Sequence, residues 1–104
     1  MIVKNRIKKY SEFQKVIQAD NVKKSSFFVL YKLDNELGYS RFGISVPKKI
    51  GNAVLRNRVK RQVRSAIGKV TDFSKANDIV LIVRKSYDTE SFDLVLLEIK
   101  NIIG

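Results

Sequence analysis

Phe42-Gly43-Ile44-Ser45-Val46-Pro47-Lys48-Lys49-Ile50-Gly51-Asn52-Ala53-Val54-Leu55-Arg56-Asn57-Arg58-Val59-Lys60-Arg61-Gln62-Val63-Arg64 changes its period half-way along. Before Pro47, Phe42, Ile44 and Val46 alternate with Arg41, Gly43 and Ser45, as in a strand with one face on a core. Pro47 lacks an N–H for the ladder and ends the pairing. Beyond Gly51, Asn52 is a suitable N-cap for a helix running to about Lys69. At about 100° per residue, Val59, Val63, Ala66, Ile67 and Val70 form one stripe. A strand leading into a long amphipathic helix sets the pattern for the rest of the chain.

Working outward, Ser11 reads as an N-cap, with Gln14 completing a capping box. The helix behind it carries Phe13, Val16 and Ile17 on one face and stops at Asp20-Asn21. Val22 to Lys24 reads as a short edge strand. Phe27 to Leu33 is rich in aromatic and branched residues and reads as a strand. Asp34 to Gly38 is turn chemistry, so Tyr39 to Val46 is expected to return as a hairpin. Asp78 to Arg84 is nearly continuous in apolar residues, as in an interior strand. Ser91 caps a last helix with Phe92, Val95, Leu96, Ile99, Ile102 and Ile103 at helical spacing. Three or four strands with helices folded onto them give an α+β two-layer sandwich. No linker or repeat divides the 104 residues, so one domain over 1–104 is expected.

Charge narrows the function. The chain carries 21 Lys and Arg against 10 Asp and Glu, a net charge of +11. Arg56, Arg58, Lys60, Arg61, Arg64 and Lys69 fall on the one helix, and no acid lies between Lys48 and Lys69. Like charges four apart repel, so this helix calls for an external polyanion, of which nucleic acid is the first candidate. No apolar run approaches the roughly 18–20 residues of a membrane span. No signal-peptide-like stretch follows the first charges, so a cytoplasmic location is expected.

Helical spacing splits the basic residues. Arg56, Lys60 and Arg64, four apart, line one border of the apolar stripe and should flank the sheet. Asn57, Arg58 and Arg61 project further round, away from the core. Arginine suits such surfaces because its fork donates two hydrogen bonds to a phosphate. Phe13, Phe27 and Tyr31 are candidates for stacking single-stranded bases. Tyr31 shares a strand face with Val29 and Phe27, opposite Phe28 and Leu30.

There is no histidine and no cysteine, so the commonest general base and any thiolate are missing. The acids are scattered and suggest no metal site. A protein-only nuclease is disfavoured; a catalyst for any hydrolysis would lie elsewhere, for instance in an RNA holding metal ions.

The stretch Phe42 to Arg64 resembles the signature of the ribonuclease P protein family. Phe13-Gln14-Lys15-Val16, Phe28-Val29-Leu30-Tyr31, Asp78-Ile79-Val80 and Val83-Arg84-Lys85 resemble its first helix and its central and last strands. The resemblance implies the order αβββαβα with a left-handed βαβ crossover. It implies a ribonucleoprotein that removes the 5′ leader of precursor tRNA, with the RNA subunit as catalyst using Mg²⁺ and no metal held tightly by the protein. The implied partners are the ribonuclease P RNA, with one protein per RNA, and precursor tRNA, with no membrane. By matching position, Phe13, Tyr31, Arg56, Lys60 and Arg64 would line a leader cleft. Asn57, Arg58 and Arg61 would meet the catalytic RNA, supported by Lys48, Lys49 and Asn52. Ile17 departs from the family, which often has an aromatic there, and Pro47 replaces a commoner serine. A ribosomal or other structural RNA-binding protein of similar fold is the alternative; the basic helix alone does not separate the two.

Overall fold

The computed structural model describes residues 3–103. Its elements are α1 (Tyr10–Gln18), β1 (Val22–Lys24), β2 (Phe28–Asp34), β3 (Arg41–Ser45), α2 (Ala53–Val70), β4 (Asn77–Val83) and α3 (Phe92–Ile103). Short 3-10 turns at Val3–Asn5 and Lys48–Ile50 precede α1 and α2. The α+β class and the order αβββαβα are as the sequence implied.

Helix boundaries follow local chemistry where a cap is available. Asn52 Oδ1 accepts from Leu55 N at 2.9 Å and starts α2 as expected. Asp20, at φ 60, sits in the left-handed region just past the end of α1 and breaks it. Ser11 is not an N-cap. The helix begins at Tyr10, with Lys9 in the cap position and no side-chain hydrogen bond there. Lys9 O accepts from Phe13 N at 3.1 Å, so an uncapped turn forms ahead of the capping-box residues. Ser91 stands before Phe92 and its carbonyl accepts from Val95 N, while its hydroxyl donates to Asp88 at 2.8 Å.

The four strands lie in the order β1-β2-β4-β3. β2 is antiparallel to both β1 and β4, and β3 is parallel to β4. The expected β2–β3 hairpin is therefore absent: β4 inserts between the two. Ile79, Val80 and Leu81 of β4 are all buried, apolar on both faces, and such a strand gains most from an interior position. The turn residues after β2 reach across it, with Asn35 N donating to Ala76 O.

Register sorts the side chains into two faces. Phe28, Leu30, Ile79, Leu81, Val83 and Phe42 share one face. Val59, Val63, Ala66 and Ile67 of α2, with Val95, Ile99 and Ile102 of α3, close over it as the core. The opposite face carries Val29, Tyr31, Val80, Ile82, Gly43 and Ser45. Among the described residues α1 covers it, through Val16, which is fully buried, and Phe13.

The hand of the β3–α2–β4 crossover follows from the ladder. Asn35 N to Ala76 O and Arg84 N to Phe27 O continue the β2–β4 pairing at both ends. Even-numbered β4 residues therefore point their N–H and C=O groups toward β2, while their side chains lie on the face away from α2. In an L-chain running upward with such a side chain toward the viewer, those groups point right. β2 then stands right of β4 and β3 left of it, with α2 behind, so the crossover is left-handed, against the usual hand.

Candidate nucleic-acid interface

The site begins with a glycine. A Cβ at Gly43 would lie 2.8 Å from Phe13 Cδ2, so the Phe13 ring rests directly on the β3 backbone. No other residue type admits that approach without displacing the ring. The N-terminal segment borders the same place. Asn5 is buried and its Nδ2 donates to Ser40 O at 2.7 Å. Ile7 N donates to Phe42 O at 2.9 Å, and Arg6 pairs with Phe42 as a parallel bridge. The outer edge of β3 is thus partly paired rather than open.

Phe13 is shared by two adjoining hollows. One is also lined by Lys8, Lys9, Tyr10, Ser45 and Lys60, the other by Arg6, Gly43 and Arg64. No acidic side chain lines either. Arg64 is partly buried beside the second hollow. Burial first, and the charge of Arg6 second, lower its pKa from the ordinary arginine value. Its Nε is buried with no hydrogen-bond partner among the described residues. A buried donor left in that state carries an unrelieved desolvation cost.

The structure therefore brings together Phe13, Lys60 and Arg64 from the residues named for the cleft. Arg56 lies on the same border of α2, but its Nε donates to Gly51 O at 3.2 Å and it lines neither hollow. Tyr31 is half-buried on the same sheet face as Gly43 but stands on β2, with β4 between. Phe27 is unavailable for stacking. It is buried in the core, edge-on to Phe28 and 5.4 Å centroid to centroid from Tyr87. It precedes β2, and the alternation of faces does not extend to it.

Asn57, Arg58 and Arg61 are exposed on the far side of α2. Arg58 and Glu90 approach to 3.6 Å, an exposed pair of little energetic weight. Lys48 is exposed and Asn52 is engaged as the cap. Lys49 goes elsewhere: with Val29, Ile82, Arg84 and Lys85 it lines a third hollow on the open sheet face. Arg6, Lys8, Lys9 and Tyr10 were not among the residues named from sequence. Their basic run was visible, but their place beside Phe13 depends on the edge pairing of Ile7.

An acid-free basic groove with an aromatic floor, beside a left-handed βαβ unit, defines the chain as a small RNA-binding α+β protein. The family model "Ribonuclease P" matches residues 1–104. A ribonuclease P protein component of Mycoplasma capricolum is 49% identical over 87 residues, covering 80% of this chain and 78% of that one. The solved RNase P protein of Staphylococcus aureus superposes with a TM-score of 0.74 at 37% identity, covering 95% of this chain and 88% of the other. That of Thermotoga maritima gives 0.74 at 30% identity, over 94% and 90%. The chain belongs to the ribonuclease P protein family and is a protein subunit of that tRNA-processing ribonucleoprotein. No helix among the described residues is long and apolar enough to cross a membrane.

Proposed function

We propose that the subunit, acting as one RNA-binding domain in the cytoplasm, binds the ribonuclease P RNA through the outward face of α2. Asn57, Arg58 and Arg61 make that contact, with Lys48 and Asn52 at its margin and Lys49 meeting the same RNA from the open sheet face. The groove between α1 and α2 holds the single-stranded 5′ leader of precursor tRNA, with Phe13 stacking and Lys60 and Arg64 pairing phosphates. Tyr31 and Arg56 extend the leader surface beyond the two hollows. One protein serves one RNA. The observation that carries this reading is the convergence of Phe13, Lys60 and Arg64 on one groove without an acid.

The RNA subunit supplies catalysis and holds the Mg²⁺. Five of the protein's ten carboxylates are already engaged within the protein. Asp78 and Glu12 bond Arg41, Asp72 bonds Ser74, Asp88 bonds Ser91, and Glu98 accepts from Phe27 N. A Mg²⁺ site asks for near-ideal octahedral oxygen coordination, with one or two carboxylates free to face the ion. The protein's part is to position substrate: by holding the leader it aids substrate affinity and, through the placement of the substrate, metal binding.

The test is reconstitution with a bacterial ribonuclease P RNA and precursor tRNA at low Mg²⁺. The chain should stimulate removal of the 5′ leader. Cleavage no faster than with the RNA alone would overturn the reading.

A further inference from the structure

We propose that Tyr10 is a second base-stacking residue of the groove, taking a nucleobase of single-stranded RNA next to the one on Phe13. The proposal rests on the leader reading above and extends it to a residue outside the family signature. Tyr10 opens α1 and is 77% exposed, among the most exposed large hydrophobic side chains described. A ring so placed on the surface buries little in the free protein. It lines the same hollow as Phe13, three residues further along α1, and the hollow's rim carries Lys8, Lys9 and Lys60. Residues three apart share a helix face, so the two rings face one space.

This hollow is held in place by the fold. The buried Asn5 amide on Ser40 O and the Ile7 N–H on Phe42 O fix the segment that carries Lys8 and Lys9 against β3. The rim is therefore positioned before any ligand arrives. Rings beside ammonium groups, with no acid in the lining, suit a base and its phosphate: the π-face accepts any base and the lysines take the backbone. A protein ligand would have to bring acidic groups to three lysines and apolar groups to the rings at once, and a lipid surface would require a wide apolar face that this hollow lacks. RNA is the occupant that matches both features.

The test uses the reconstituted holoenzyme with Tyr10→Ala, Tyr10→Leu and Tyr10→Phe, and with Phe13→Ala as reference. 2-Aminopurine is placed at one leader position at a time, and its quenching on binding is read beside affinity for leader-bearing and mature tRNA. Tyr10→Ala and Tyr10→Leu should abolish quenching at one leader position and weaken leader-bearing substrate by roughly five- to tenfold, with mature tRNA unaffected. Tyr10→Phe should keep both. If Phe13→Ala weakens leader binding while Tyr10→Ala matches wild type, the stacking role of Tyr10 is overturned and the groove reading stands. Tyr10→Leu behaving as wild type would likewise overturn it, since apolar area without a ring would then suffice. If neither Phe13→Ala nor Tyr10→Ala changes leader affinity, both readings fall.

Discussion

Arg41 donates from Nε and Nη2 to the two oxygens of Asp78, at 2.9 and 2.7 Å, joining neighbouring parallel strands through one buried carboxylate. Asn35 Nδ2 adds a bond to Asp78 Oδ1 at 2.8 Å, and Glu12 Oε2 reaches Arg41 Nη1 at 3.0 Å. The hydrogen bond to Asp78, then that to Glu12, raise the Arg41 pKa against the opposing effect of burial. Glu12 directly precedes Phe13, so this node ties α1 to the sheet next to the ring that floors the groove.

Asp78→Ala leaves the guanidinium half-paired in a partly buried place. Breaking such a pair from one side costs about 3 kcal/mol. Urea unfolding should report that loss as a lower midpoint with little change in slope.

Gly43→Ala puts a methyl group 2.8 Å from Phe13 Cδ2. The ring must shift, and overpacking of this kind costs about 1–3 kcal/mol. Leader-bearing substrate should bind more weakly than to wild type, while mature tRNA binds unchanged. Equal binding of both substrates by variant and wild type would show that the ring has no part in leader recognition.

Lys60→Ala and Arg58→Ala should separate the two basic surfaces of α2. The first is expected to weaken leader-bearing precursor more than mature tRNA. The second should weaken assembly with the ribonuclease P RNA, read by titration of RNA with protein. Both affinities should fall steeply with salt, because each phosphate neutralised releases counterions, and the slope should shallow by about one unit per removed contact.

Asn52→Ala removes the only side-chain acceptor at the start of α2. The stability loss should be about 1 kcal/mol, and Asn52→Asp should restore most of it. A thermal melt of the free protein checks this without RNA.

Tyr87 sets a pH dependence at the alkaline end. Burial raises its phenol well above the ordinary 10.0, with Arg58 pulling the other way and Asp88 adding to the rise. Its hydroxyl donates to Gln62 Oε1 at 2.9 Å. The unfolded chain releases this proton near its ordinary value, while the folded chain keeps it. Between the two, the folded state binds more protons, so stability falls as pH rises above about 10. Tyr87→Phe should reduce stability below that pH yet flatten the fall above it, measured as urea midpoints on both sides.

Much of the fold was readable because it rests on local periodicity. The α2 stripe from Val59 to Ile67 is buried as the wheel required, and Asn52 caps where its type suggested. The split of Arg56, Lys60 and Arg64 from Asn57, Arg58 and Arg61 also survives, since it depends only on helical geometry. Ser11 misled because a good cap residue does not exclude a turn forming ahead of it. Phe27 misled because alternation holds only inside a strand, and Phe27 lies one residue outside β2.

Residue type and spacing fixed the class, the elements and the charge of α2. Those are short-range properties, set by backbone geometry and side-chain chemistry within a few residues. Which strands are neighbours was decided by long-range burial. β4 gained the interior because both of its faces are apolar, and that displaced the hairpin the turn residues suggested. The seat of Phe13 on Gly43, the distance of Tyr31 from the hollows and the wall formed by Arg6 to Tyr10 follow from that arrangement. Each depends on contacts between residues distant in sequence, for which no local signal exists.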